Sequence, residues 1–208
     1  MNKSQDAHQR LGWQFWLLWT VGSALAMLVM FMTGFFLVSL TIETLTSRFA
    51  EIVFDEEGAA FVIGLSVVFT LCGAGIGLVQ WLLLRRRIPH AGGWVWGSAL
   101  GFAVLVLLYF ALYDRIPELA SEVVHNGAGG LVAGVIQWRI LRQQTAQAGW
   151  WLPVSSFGMI LAGLVNLLLG TGPIAMLIGI AAMAAVTGLA LLWLLNRRVL
   201  YAGAPEPA

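Results

Sequence analysis

Charge is what this chain has least of. Only 10% of its 208 residues are Asp, Glu, Lys or Arg, against about 25% in an average soluble domain. Eleven basic and ten acidic groups cannot cover a water-exposed globule, so a soluble enzyme and a nucleic-acid binder are both excluded. A single cysteine, Cys72, excludes an internal disulfide and with it the small secreted disulfide scaffolds. Proline is scarce as well, at six residues, so long apolar runs stand unbroken. Catalytic signatures are missing: there is no His-Glu-x-x-His, no Walker loop and no Gly-x-Ser-x-Gly elbow. Gly73-x-Gly75-x-Gly77 lies inside an apolar run, the wrong context for cradling phosphate. An enzyme is not expected.

What is present is hydrophobic length. Sixty per cent of residues are hydrophobic and the mean hydropathy is +0.86. A crossing helix needs about 20 apolar residues, because about 30 Å of hydrocarbon is climbed at about 1.5 Å per residue. Stretches free of Asp, Glu, Lys and Arg run over Leu11 to Ile42, Gly58 to Leu84, Ile88 to Tyr113, Val123 to Trp138 and Gln143 to Asn196. The last is long enough for two helices and is broken by Gly170-Thr171-Gly172-Pro173, a turn signal with proline placed to open a new helix. The sequence therefore predicts an all-α integral membrane protein with six spans, at about 12–42, 59–84, 93–113, 121–141, 150–170 and 173–196. Closed barrels need short alternating segments, which these continuous runs do not supply. An acidic external segment at 41–58 reads as a short interfacial helix or as an extension of the first span. The tail 202–208 reads as flexible, with Pro205 and Pro207.

Charge, though scarce, is sorted. Six spans put both termini on the same side as the second-to-third and fourth-to-fifth connections. That side carries Lys3, Arg10, Arg85, Arg86, Arg87, Arg139, Arg142, Arg197 and Arg198, nine of the eleven basic residues. The positive-inside rule makes it cytoplasmic, so the expected location is a bacterial cytoplasmic membrane with both termini inside. Eight of ten acids, among them Glu118 and Glu122, fall on the other side.

The chain also repeats itself. Gly73-x-x-x-Gly77-x-x-Gln80-Trp81-x-x-Leu84-Arg85, then Ala91-Gly92-x-Trp94, Ser98 and Gly101, recurs 57 residues later. The second copy is Gly130, Gly134, Gln137, Trp138, Leu141, Arg142, Ala148, Gly149, Trp151, Ser155 and Gly158. Echoes lie at the ends: Trp19-Thr-Val-Gly-Ser-Ala-Leu25 matches Trp94-Val-Trp-Gly-Ser-Ala-Leu100, and Trp193-Leu-Leu-Asn-Arg197-Arg198 matches Trp81-Leu-Leu-Leu-Arg85-Arg86. Three helical hairpins repeated in one orientation, forming a pseudo-threefold bundle, are the predicted architecture. The Gly-x-x-x-Gly pairs let a neighbouring helix backbone approach closely, which is how helices associate in lipid.

This pattern resembles a diffuse set of bacterial multi-pass membrane proteins carrying Gly-x-x-x-Gly-x-x-Gln-Trp-x-x-Leu-Arg followed by Ala-Gly-x-Trp. The resemblance covers roughly residues 73 to 158. It implies a multi-pass helical architecture, and since no activity is attached to that set it carries over no catalytic or binding residue.

Two groups of residues are candidates for function. All ten tryptophans fall toward the cytoplasmic ends of the spans, and Trp81 to Arg85 and Trp138 to Arg142 are i, i+4 pairs that can stack guanidinium on indole. With Gln80 and Gln137 they form a candidate rim for anionic lipid headgroups or a membrane-protein partner. The second group is an intramembrane polar layer. Helical rise puts His125 and Asn166 about 22 to 24 Å above the inner edge. Tyr109 is the repeat equivalent of Asn166, and Asn126 adjoins His125. Glu118 and Glu122 lie just above.

No metal site and no cofactor are expected: Glu-x-x-His is half of a di-iron signature whose other half is missing, and His8 and His90 lie on the wrong side to join His125 in ligating a haem. The leading expectation is a non-enzymatic accessory or scaffolding subunit that binds membrane lipid or a membrane-protein complex. Its rivals are a transporter or channel for a small neutral or amphipathic solute, which requires a cavity reaching mid-membrane, and a pigment, haem or metal protein built on His125.

Overall fold

In the computed structural model, residues 11–48, 59–170 and 172–202 are described. They form six helices: α1 (Trp13–Arg48), α2 (Ala59–Leu84), α3 (Gly93–Leu112), α4 (Glu118–Leu141), α5 (Trp151–Leu169) and α6 (Pro173–Ala202). A single 3-10 turn, Ala146–Trp150, leads into α5, and no strand occurs among the described residues. All six helices are long and apolar enough to cross a membrane. Lipid leaves no alternative to internally paired backbone, and the unbroken runs of Leu, Val, Ala and Gly satisfy that demand as helix.

The helix ends follow local chemistry. Pro173 opens α6, where its missing N–H costs nothing, and Pro117 precedes α4. Glu118 in the first turn and Arg139 in the last turn of α4 each complement the helix dipole. Gly170 ends α5 with φ of 87°, a conformation that favours glycine. The Thr145 hydroxyl accepts from the Gln147 N–H to start the 3-10 turn. Helix α1 continues through residues 41–48, so this part of the acidic segment is a continuation of α1. Residues 49–58 of that segment, and 203–208 of the tail, lie outside the described residues.

Each helix packs on its neighbours in the chain, and α6 packs back on α1, closing a ring of six. One end of the ring carries Arg85, Arg86, Arg87, Arg139, Arg142 and Arg197, and is here the basic end. The other, with Asp114, Glu118 and Glu122, is the acidic end. Large apolar side chains such as Phe36, Leu168 and Ile174 face outward, as lipid allows.

The glycines sit where helices touch. A Cβ on Gly73 would lie 2.5 Å from the Ser98 carbonyl oxygen, and one on Gly130 2.7 Å from that of Ser155. Gly77 and Gly134 meet the side chains of the same two serines. Across α3 and α4, Gly101 and Gly129 face each other's carbonyl oxygens. The α2–α3 and α4–α5 seams thus use the same contacts, 57 residues apart. A first prediction follows from this geometry. Gly130→Ala forces two backbones apart and should lower stability by about 1–3 kcal/mol. Gly149→Ala, with nothing within 4 Å, should be close to neutral. Thermal unfolding of the two variants in mild detergent checks the contrast.

Candidate functional site

Near the basic end the ring is filled by a buried cluster that includes Trp19, Leu84, Trp94, Leu141, Trp151, Leu191 and Leu194. The three indoles come from α1, α3 and α5 and meet at its centre. Trp94 stands edge-on to Trp19 at 6.0 Å between ring centroids and tilted against Trp151 at 5.3 Å. A buried indole needs an acceptor for its N–H, and each finds one on an even-numbered helix. Trp94 Nε1 donates to Gln80 Oε1 at 2.8 Å, Trp151 Nε1 to Gln137 Oε1 at 2.9 Å, and Trp19 Nε1 to Thr187 Oγ1 at 3.2 Å.

The glutamines work with both hands. Gln80 Nε2 donates to Ser23 on α1 and Gln137 Nε2 to Ser98 on α3, both at 3.1 Å. Each glutamine thereby ties its own helix to two neighbours. The α4–α5 seam gains a second bond, from the Ser155 hydroxyl to the Gly130 carbonyl, and Thr187 donates to its own helix at Met183. A void of about 40 Å³ lies among these side chains, large enough for a water molecule. Asn196 of α6 adds a strap, exchanging two hydrogen bonds with the Leu11 backbone.

The residues read from sequence as one rim thus occupy two places. Gln80 and Gln137 are buried in the belt. Trp81 and Trp138 lie further out, under exposed guanidinium groups: Arg85 stands 5.5 Å from the Trp81 ring and Arg142 5.2 Å from that of Trp138. Arg197 over Trp193, at 4.4 Å, is a third such stack, and Arg197 also donates to Gln147. Of the ten tryptophans, three are buried in the belt, while Trp13, Trp96 and Trp150 are widely exposed. Ser23, present in the sequence reading only within the Trp19–Leu25 echo, and Thr187 were not among the candidate site residues. The signal available was the spacing of 14 residues from Gln80 to Trp94 and from Gln137 to Trp151, the interval at which one side chain accepts from the other.

Toward the acidic end the ring is hollow. A cavity of about 370 Å³ is lined by all six helices, with an apolar floor and walls including Met27, Phe31, Phe69, Phe102, Met159 and Ile180. Phe102 and Met159 are nine and eight residues into their helices, so the floor lies about 12 to 14 Å from the basic end. Higher up, one side of the wall is polar. Tyr109, His125, Asn126 and Asn166, the four residues of the anticipated layer, all line this cavity, and Glu122 joins them.

The Tyr109 ring stands edge-on to the His125 ring, 5.4 Å away. The Asn126 side-chain nitrogen lies 2.9 Å from Glu122 Oε2, 3.0 Å from the Glu122 carbonyl oxygen and 2.9 Å from His125 Nε2. Two of these neighbours can only accept, so the amide must present its NH₂ to them. The side-chain oxygen of Asn166 has no hydrogen-bond partner. Glu122 Oε2 is 3.6 Å from His125 Nε2, with the Glu122 side chain 18% exposed and that of His125 4%. Glu118, on the same face of α4, is exposed. Among the described residues no group of three or more His, Cys, Asp or Glu comes together to hold a metal ion.

Comparison with protein-family models, curated proteins and solved structures finds no match for this chain. Function must therefore be argued from the belt and the cavity.

The belt predicts a specific coupling. Gln137→Leu strands the Trp151 N–H in a buried site and should cost about 1–3 kcal/mol, whereas Gln137→Leu with Trp151→Phe should recover part of the loss. Unfolding of the two single variants and the double variant measures the coupling. Strictly additive losses would mean that the bond contributes nothing.

Proposed function

We propose that this polytopic membrane protein is a non-enzymatic binding protein of a bacterial cytoplasmic membrane. In this reading it takes a small amphipathic solute into the hollow half of its bundle from the extracytoplasmic side. The observation that carries it is the cavity of about 370 Å³, drawn from all six helices and polar on one wall. Small-molecule sites commonly measure about 300–1,000 Å³ and combine apolar walls with a few convergent polar groups. Such a cavity is what a carrier or receptor for an amphipathic solute requires. The filled belt beneath it favours access from one side.

The architecture we infer for this site is three parallel hairpins, α1–α2, α3–α4 and α5–α6, about a pseudo-threefold axis. The 57-residue repetition supports it, as do the side-chain hydrogen bonds of Trp19, Trp94 and Trp151 to even-numbered helices and the three Arg–Trp stacks. Both termini are cytoplasmic in this reading, since the basic end gathers most of the arginines and the positive-inside rule assigns that end to the cytoplasm.

Cysteine accessibility tests the cavity. On a Cys72→Ser background, Leu105→Cys lines the cavity and Leu191→Cys lies in the fully buried belt cluster. A small maleimide should label the first in folded protein and leave the second unmodified. A membrane-impermeant reagent should reach position 105 only from the extracytoplasmic side. If both positions resist labelling, the solute-binding reading falls.

A second reading, an accessory subunit holding anionic lipid or a membrane-protein partner at the basic end, is favoured by the Arg–Trp stacks. Charge-neutral replacement of both Arg85 and Arg142 by Gln should reduce anionic lipid or partner copurified in mild detergent by several fold. Native mass spectrometry reads this, and unchanged retention removes that reading.

A further inference from the structure

The cavity's polar wall is rich in acceptors and has no cation of its own. Among the described residues Glu122 is the one carboxylate lining it, and no Lys or Arg forms an ion pair with it; its neighbours are the neutral Asn126 amide and Nε2 of His125. A carboxylate at this depth, beside apolar walls, is costly unless a positive charge or strong donor answers it. The Asn166 side-chain oxygen is a second acceptor on the same cavity, buried and without a donor. Among the aliphatic side chains of the rest of the wall stand five aromatic rings, those of Phe31, Phe35, Phe69, Phe102 and Tyr109. Ring faces attract cations, and the attraction grows where water is excluded.

We infer that the solute is an amphipathic organic amine, bound with its ammonium group between Glu122 and Asn166 and its apolar part among the phenylalanines. This rests on the solute-binding reading above and deepens it to a chemical class. An ammonium supplies both the missing charge and the missing donors, and it has no acceptor atom to set against Glu122. A carboxylate-headed lipid or fatty acid would face Glu122 with like charge. A neutral alcohol would satisfy one acceptor and leave the charge unanswered.

The test uses the full chain in an uncharged maltoside detergent, with three probes of the same shape: 4-phenylbutylamine, 4-phenylbutanol and 4-phenylbutyrate. Binding is read by saturation-transfer NMR, and by protection of the Leu105→Cys position from maleimide. The amine should bind at least about tenfold more tightly than the alcohol, and the carboxylate least of all. Glu122→Gln keeps an acceptor for Asn126 and should abolish the preference for the amine while leaving the alcohol's affinity within about twofold. Asn166→Leu, a separate variant on α5, should weaken the amine more than the alcohol. If amine and alcohol bind equally to the unaltered protein, or if Glu122→Gln retains the preference, the amine assignment is overturned and the solute-binding reading stands. If none of the three probes binds or protects position 105, both fall together.

Discussion

The indole N–H of a tryptophan buried away from water must find an acceptor, and meeting that demand three times organises this bundle. In lipid, apolar contact is a weak guide to helix pairing, because a leucine is as well accommodated by an acyl chain as by another leucine. Discrimination falls to hydrogen bonds and to backbone contact at glycine. Gln80 and Gln137 are suited to the task because a primary amide both accepts and donates, so one side chain fixes the positions of two neighbouring helices at once. The serines that complete the pattern are short enough to sit where the glycine seams bring backbones together. A longer residue in their place would push apart the helices that the glutamines join.

With the basic half held in this way, the acidic half has different freedom. Phe102 and Met159 roof the filled region, and above them the six helices surround the cavity. The residues repeated at 57-residue intervals are concentrated in the belt and the glycine seams. Along the cavity the correspondence lapses: Tyr109 stands where the next unit has Asn166.

Height along a helix was legible from the sequence; azimuth was not. Counting residues at a fixed rise placed Tyr109, His125, Asn126 and Asn166 at one level, and all four line one cavity. The six spans emerged from five charge-free stretches, the longest divided at the Gly170-Thr171-Gly172-Pro173 turn. Spans that are apolar on every face give no such guide to which side turns inward. Gln80 and Trp81, one residue apart, were read as members of one rim, yet one is in the core and the other carries an arginine on the outside. Thr187 was invisible for a related reason: among the alanines and leucines of α6 nothing announced that its hydroxyl would stand in for a glutamine. The cavity itself has no sequence signature, since a hollow is a property of how helices diverge.

The third tryptophan carries a consequence for how the protein is made. Gln80 precedes Trp94 by 14 residues, and Gln137 precedes Trp151 by the same interval, so each of these indoles enters the membrane with its acceptor already synthesised. Trp19 meets the opposite situation, because Thr187 lies 168 residues downstream and leaves the ribosome last. The Leu11 backbone likewise waits for Asn196. Until the sixth helix is made, the Trp19 N–H and the Leu11 backbone lack the partners they hold in the closed ring, so the ring cannot close before α6 is present.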